Sequence, residues 1–243
     1  MRVATFNVRH GLPPRRREVD HDLLGRSVAR LGADVVALQE LDRSTDRSGG
    51  VDQVRVVAAA TGSEVRFARA IRFGGGEYGN ALVVRGGIVR ATEVPLPSAV
   101  GEDRVALVAQ VLHGAERWWV AATHLQNRRR GLPSEAPGQL RSVLDALDRS
   151  AGPSGPAVLL GDLNLGPDEV EPALAERGYA AAIGPPTFPA HRPREHIDWI
   201  AVRGATVVGV EVPDLRASDH RPLVAELRRA DLHMDATADR PYG

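Results

Sequence analysis

Apolar and polar residues change period repeatedly along the chain, and the changes mark out its elements. Residues Val3 to Val8 alternate and are rich in strand formers, which predicts an opening strand. From Asp22 to Leu31 the period lengthens to that of a helix, with Leu23, Leu24, Val28 and Leu31 on one face and Gly32 as the stop. The run ADVVALQE predicts a buried strand closing on Gln39 and Glu40, followed by a polar loop over 41–50 and a helix over 51–60. Strand-like runs follow at 64–70, 80–85, 88–95, 105–112 and 117–124, then a third helix over 137–150. PAVLLGDLN predicts another buried strand and EVEPALAERG another helix, before a proline-rich loop over 184–193. Two last strands are expected at 196–203 and 222–227, with a short run at 206–212 between them. The pattern stops near Arg228, so residues 1–227 are expected to form one domain and 228–243 a flexible tail. Helix-separated strands mixed with strand-after-strand stretches predict a layered α/β sandwich, not a purely parallel sheet.

Charge narrows the partners. The 31 basic residues, all Arg, balance 31 acidic ones, so no global positive field recruits nucleic acid or anionic membrane. Local basic clusters remain at Arg15–Arg17 and Arg128–Arg130. The chain has no Cys, which excludes disulfides, thiolate zinc sites and a cysteine nucleophile. No apolar run approaches the roughly 18 residues of a membrane span, and the N-terminus lacks a signal-peptide core; the expected location is cytoplasmic. Trp118 and Trp119 sit mid-strand and are expected to pack.

The chemistry gathers where strands end. Asn7 lies inside the first strand; Glu40, His124, Asp162 with Asn164, and Asp198 sit at the ends of later ones, and Asp219-His220 precede the last. Each has an ordinary reading: a satisfied buried amide, a solvated strand end, a packed histidine, an Asx turn. Together they form a set, because neighbouring strand ends of a layered α/β fold converge on one rim. Asp162 and Asn164 are two apart, which on an extended backbone points both to one face, and adjacent Asp219 and His220 would point to opposite sides. Several carboxylates brought together repel unless a cation or proton compensates, and a hard divalent ion with oxygen ligands fits.

The motifs TFNVRHG around Asn7, LQE at 38–40, THL at 123–125, GDLN at 161–164, HIDWI at 196–200 and SDHRP at 218–222 together resemble the endonuclease/exonuclease/phosphatase superfamily. They occur in that family's order and span nearly the whole chain. The resemblance implies a four-layer α-β-β-α sandwich with two packed mixed sheets, and a metal-dependent phosphoric-ester hydrolase. It implies that Glu40, Asn7 and Asp219 hold the metal, magnesium with manganese as its substitute. His220 would be the general base, oriented by Asp198. Asp162 would polarise or protonate the reacting oxygens, Asn164 would hold the nucleophile or a phosphate oxygen, and His124 would donate to the scissile phosphate. Arg43, Arg47, Tyr78 and Asn80 are candidates for substrate contact, and Glu77 for supporting His124. The substrate expected is a small or lipid-derived phosphodiester. Alternatives are a DNA or RNA nuclease using the same site and a non-catalytic binder of phosphorylated ligands or of a protein.

Overall fold

The computed structural model describes residues 1–128, 131–153 and 155–230. Its elements are β1 (Arg2–Asn7), α1 (His21–Arg30), β2 (Val35–Arg43), α2 (Gln53–Thr61), β3 (Glu64–Phe73), β4 (Gly76–Val84), β5 (Ile88–Leu96) and β6 (Arg104–His113). They continue with β7 (Glu116–His124), α3 (Ala136–Ala151), β8 (Ala157–Asp162), α4 (Pro167–Ala175), β9 (Ala180–Ala181), β10 (Asp198–Arg203), β11 (Ala205–Glu211) and β12 (Leu223–Arg229). One sheet has the order β11-β12-β1-β2-β4-β3 and the other β5-β6-β7-β8-β10-β9.

Alternation along each central strand feeds two layers of core. Val3, Val35, Ala37 and Leu82 meet Leu107, Val120, Leu160 and Ile200 between the sheets. The opposite faces carry Phe6, Val36 and Leu38, which pack beneath Leu24 and Val28 of α1 and Val57 of α2. On the other sheet Val108, Ala121 and Leu159 pack beneath Leu140, Val143 and Leu147 of α3. The result is the four-layer helix–sheet–sheet–helix sandwich, and both sheets are mixed. Asp20 caps α1 by accepting from the Leu23 amide at 2.8 Å, and Gly62, in the left-handed region, closes α2. Trp118 lies in the inter-sheet core, whereas Trp119 packs on the α3 side with Arg90 stacked 4.6 Å from its ring. No described helix is long and apolar enough to cross a membrane.

Topology explains why the polar strand ends meet. β1 pairs in parallel with β2, and β7 with β8, each pair joined through a helix, so four strand ends point to one rim. β10 and β12 run antiparallel to β8 and β1, so their starts reach the same rim. His124, Asp162 and Asp198 then stand in one register row across three strands.

Some boundaries differ from the sequence pattern. β2 continues to Arg43 through residues expected to be loop, and β4 begins at Gly76, four residues early. Polar residues mark a strand's exposure, not its end, so the ladder carries on beneath them. β12 likewise runs to Arg229, past the expected start of the tail; residues 231–243 lie outside the described residues.

Candidate active site

Glu40 reaches the rim through an irregularity. In the β2–β4 ladder Leu38 faces Ala81 and Leu41 faces Gly79, so Gln39 and Glu40 together oppose Asn80. Strict alternation would send Glu40 to the side of Leu38, beneath the helices. The bulge, with Glu40 at φ 59°, turns it to the inter-sheet side while Leu38 and Leu41 both stay under the helices. There the Asn7 amide nitrogen donates to Glu40 Oε1 at 2.9 Å and to Asp162 Oδ2 at 3.0 Å, joining the two sheets. Asn7 Oδ1 accepts from the Arg9 amide at 3.0 Å. The Asn7 side chain thus bridges the two carboxylates, and its oxygen, with two lone pairs, keeps one beyond the Arg9 amide.

His220 is buried, and its Nδ1 lies 2.9 Å from Asp198 Oδ2, which leaves Nε2 facing Asp162 at 3.7 Å. Two residues that the sequence pattern gave no reason to select complete this pair. Thr187 Oγ1 donates to the same Asp198 oxygen, and the Phe188 ring lies 4.6 Å from the His220 ring. Both come from the proline-rich loop, which has no periodicity to point at a site. Asp219 and His220 sit in a bend before β12, not on an extended strand, so alternation does not separate them. Their burial does: Asp219 is half-exposed at the cleft, 3.5 Å from Arg9 Nε, while His220 lies inside.

Asp162 and Asn164 do not share an extended face either. Asn164 is at φ 51° and its amide donates to Asp162 Oδ1 at 3.1 Å, an Asx turn. One amide hydrogen of Asn164 goes to the Leu125 carbonyl, and the side chain still lines the cleft. Gly161 allows this end of β8 to lie against β7: a Cβ there would stand 2.4 Å from the Thr123 carbonyl oxygen.

His124 has Arg104, not Glu77, beside it. Arg104 Nη1 lies 3.2 Å from His124 Nδ1, and a guanidinium only donates, so Nδ1 accepts and Nε2 carries the proton. That Nε2 lies 3.5 Å from Asp162 Oδ2. Glu77 is engaged by Arg43 and Arg69 at 3.0 and 3.1 Å. Arg104 opens β6, and an Arg leading an apolar strand was the one available signal for it. Among the substrate candidates, Arg47 and Tyr78 line the cleft. Arg43 is held by Glu77, and Asn80 donates to the Val105 carbonyl at 2.9 Å, tying the sheets together; neither lines the cleft. Arg128 is at the cleft, paired with Glu169; Arg129 and Arg130 lie outside the described residues, and Arg15–Arg17 do not line the cleft.

The cleft encloses about 1160 Å³. Burial raises the Glu40 carboxyl, partly offset by the Asn7 hydrogen bond, and burial raises Asp162 to about 7 against the pull of His220. Burial opposes charge on His220, but the carboxylates of Asp198 and Asp162 outweigh it and hold the imidazole up at about 10. His124 goes the other way: burial, then Arg104, push it well below its ordinary value, so it is a neutral Nε2–H donor. The donor set therefore fits a divalent cation, which would discharge the crowded carboxylates of Glu40 and Asp219 through hard oxygen ligands. Asp162, Asp198 and His220 also offer ligand atoms within 4.8 Å of one another. Asp198 Oδ2 in that trio is shared by His220 and Thr187.

A family model described as the Endonuclease/Exonuclease/phosphatase family matches residues 4–220. The chain belongs to that family. Among solved structures it resembles an endonuclease/exonuclease/phosphatase from Beutenbergia cavernae DSM 12333, at 27% identity and a TM-score of 0.79, over 94% of this chain and 71% of that one. The human Nocturnin catalytic domain with bound sulfate matches at 19% identity and a TM-score of 0.74, over 95% of this chain and 94% of that one. A Bacteroides thetaiotaomicron VPI-5482 mannosyl-6-phosphatase matches at 16% identity and a TM-score of 0.71, over 94% and 99%. The last two establish fold likeness alone. No curated protein matches the chain by sequence.

Proposed function

We propose that this family member is a divalent-metal-dependent phosphoesterase that hydrolyses a small phosphodiester with a water activated by His220. The observation that carries the reading is the His220–Asp198 pair at 2.9 Å, with Nε2 directed toward a carboxylate-lined cleft. Asp198 and Thr187 fix the imidazole with Nε2 facing the cleft. A divalent cation bound among the carboxylates would offset the pull that holds His220 charged, and the neutral Nε2 would then take the proton of the attacking water. His124, locked as an Nε2–H donor by Arg104, shares the charge that develops on a non-bridging phosphoryl oxygen. Asp162, raised to about 7, carries a proton that it can pass to the departing alkoxide. A metal held by Glu40 and Asp219, magnesium or manganese, supplies Lewis-acid charge stabilisation when bound. The balanced charge and acidic rim favour a small substrate over a nucleic acid.

A panel comprising a chromogenic phosphodiester, a phosphomonoester, a phospholipid, and plasmid and abasic-site DNA tests the proposal. Each is run with magnesium, manganese or a chelator. Metal-dependent cleavage of the small diester, insensitive to salt, is the expected result. Selective, steeply salt-dependent cleavage of DNA would replace the small-substrate reading with a nuclease. No turnover of any ester would remove the enzymatic reading.

A further inference from the structure

One end of the cleft is built unlike the rest. Phe73, at the end of β3, is 44% exposed yet lines the cleft beside Ile71 and Tyr78. The Arg47 guanidinium lies 4.6 Å from the Phe73 ring centroid and 5.3 Å from that of Tyr78, between two rings of the same wall. Arg47 is not free to grip a phosphate as a fork. Its Nε and Nη2 donate to the two oxygens of Asp42 at 2.7 and 2.8 Å, and Asp42 is fully buried and also accepts from Thr45. The turn after Phe73 is tied to the same loop, with the Asp46 amide donating to the Gly74 carbonyl at 2.7 Å. A flexible exposed phenylalanine would be unremarkable, since single apolar side chains often face water. Here the ring is pinned by a guanidinium that is itself pinned by a buried carboxylate.

Such a wall presents a flat apolar surface backed by positive charge, which suits a planar, electron-rich ring better than a sugar or an acyl chain. Arg128, Asp168 and Glu169 also line the cleft, and the other phenylalanine in its described lining, Phe188, lies against the His220 ring. The volume, about 1160 Å³, exceeds what a phosphate group occupies and matches pockets for ligands of several hundred cubic ångströms. We propose that Phe73, backed by Arg47 and bordered by Ile71, is a stacking platform for a nucleobase, so that the ester this cleft takes is a nucleoside phosphate. The assignment rests on the phosphoesterase reading for where the phosphate sits, and it narrows the class of substrate.

The test is calorimetric binding with magnesium, using the His220→Ala chain so that nothing is turned over. Adenosine 5′-monophosphate is compared with ribose 5-phosphate, which keeps the phosphate and sugar but lacks the base. The mononucleotide is expected to bind roughly tenfold to a hundredfold tighter, the range a stacked base contributes. Phe73→Ala should erase the difference while leaving ribose 5-phosphate binding unchanged, and Phe73→Tyr should restore it. Equal affinity for the two ligands overturns the platform and leaves the phosphate site standing. Binding of neither ligand overturns the platform and the phosphoesterase reading together. A tetra-adenylate that binds no tighter than the mononucleotide assigns the platform to free nucleotides. One that binds far tighter, with steep salt dependence, keeps the platform but assigns it to a strand.

Discussion

The two sheets supply the same cleft by different means. The β5–β10 side delivers His124, Asp162 and Asp198 from one row of a regular ladder, and His220 closes onto that row. The β1–β4 side delivers Glu40 through a bulge and left-handed backbone, and Phe73 and Tyr78 beside a second slip, where Arg69 and Ile71 face consecutive β4 residues. A regular ladder fixes side-chain separations to within small limits, which proton transfer between neighbouring groups requires. Bulges and turns re-aim single residues and tolerate change in what they hold. On the proposed function, the regular side would carry the chemistry common to many esters, and the irregular side would hold the ion and whatever the phosphate is attached to.

Breaking the regular side should therefore cost turnover without loosening binding. Asp198→Asn is expected to lower kcat about a thousandfold with little change in KM, because the imidazole loses its orienting carboxylate while the cleft stays intact. A comparable rise in KM, measured by steady-state kinetics, would instead make Asp198 a binding residue. Arg104→Met should lower kcat about a hundredfold, as expected for loss of one preorganised donor, since nothing then obliges His124 to keep its proton on Nε2. The imidazole ¹⁵N shifts of His124 should move from one tautomer to a mixture; unchanged shifts would contradict the role given to Arg104. Thr187→Val, one step further out, should cost about tenfold in kcat, with Thr187→Ser close to wild type.

A smaller effect separates the sheets through stability. His220 is held up at about 10, so between pH 6.5 and 10 the folded, metal-free chain binds a proton that the unfolded chain has lost. That stabilisation is fully present below pH 6.5 and disappears as pH rises through 10. Melting in chelator should fall by roughly 5 °C between pH 7 and 9.5, and His220→Gln should flatten the slope. A slope unchanged in that variant would mean that other groups set it.

The same contrast decides what was legible in the chain. Strand ends on regular ladders announce themselves, because an apolar run closing on His124 or Asp162 puts a polar group where the fold has a rim. The layered class and the helices followed from period alone. Glu40 was legible as a residue but not in its mechanism of delivery, since alternation by itself points it away from the site. Thr187 and Phe188 come from a loop without period, so no local pattern marks them, and Arg104 was marked only by its place at the head of an apolar strand, since its partner His124 comes a full strand later. Asn80 and Arg43 were selected for lying after the Glu40 strand and before the next one, and that position does not reveal that one donates across the sheets and the other is held by Glu77, both off the cleft lining.

The division of labour between the two sides has a direct test. Manganese binding by calorimetry and phosphodiester turnover are measured together on wild type, His220→Ala and Glu40→Gln. The account predicts that His220→Ala keeps manganese affinity within about threefold while kcat falls about a thousandfold, and that Glu40→Gln loses both. Near wild-type turnover by His220→Ala, or undiminished manganese binding by Glu40→Gln, would contradict it.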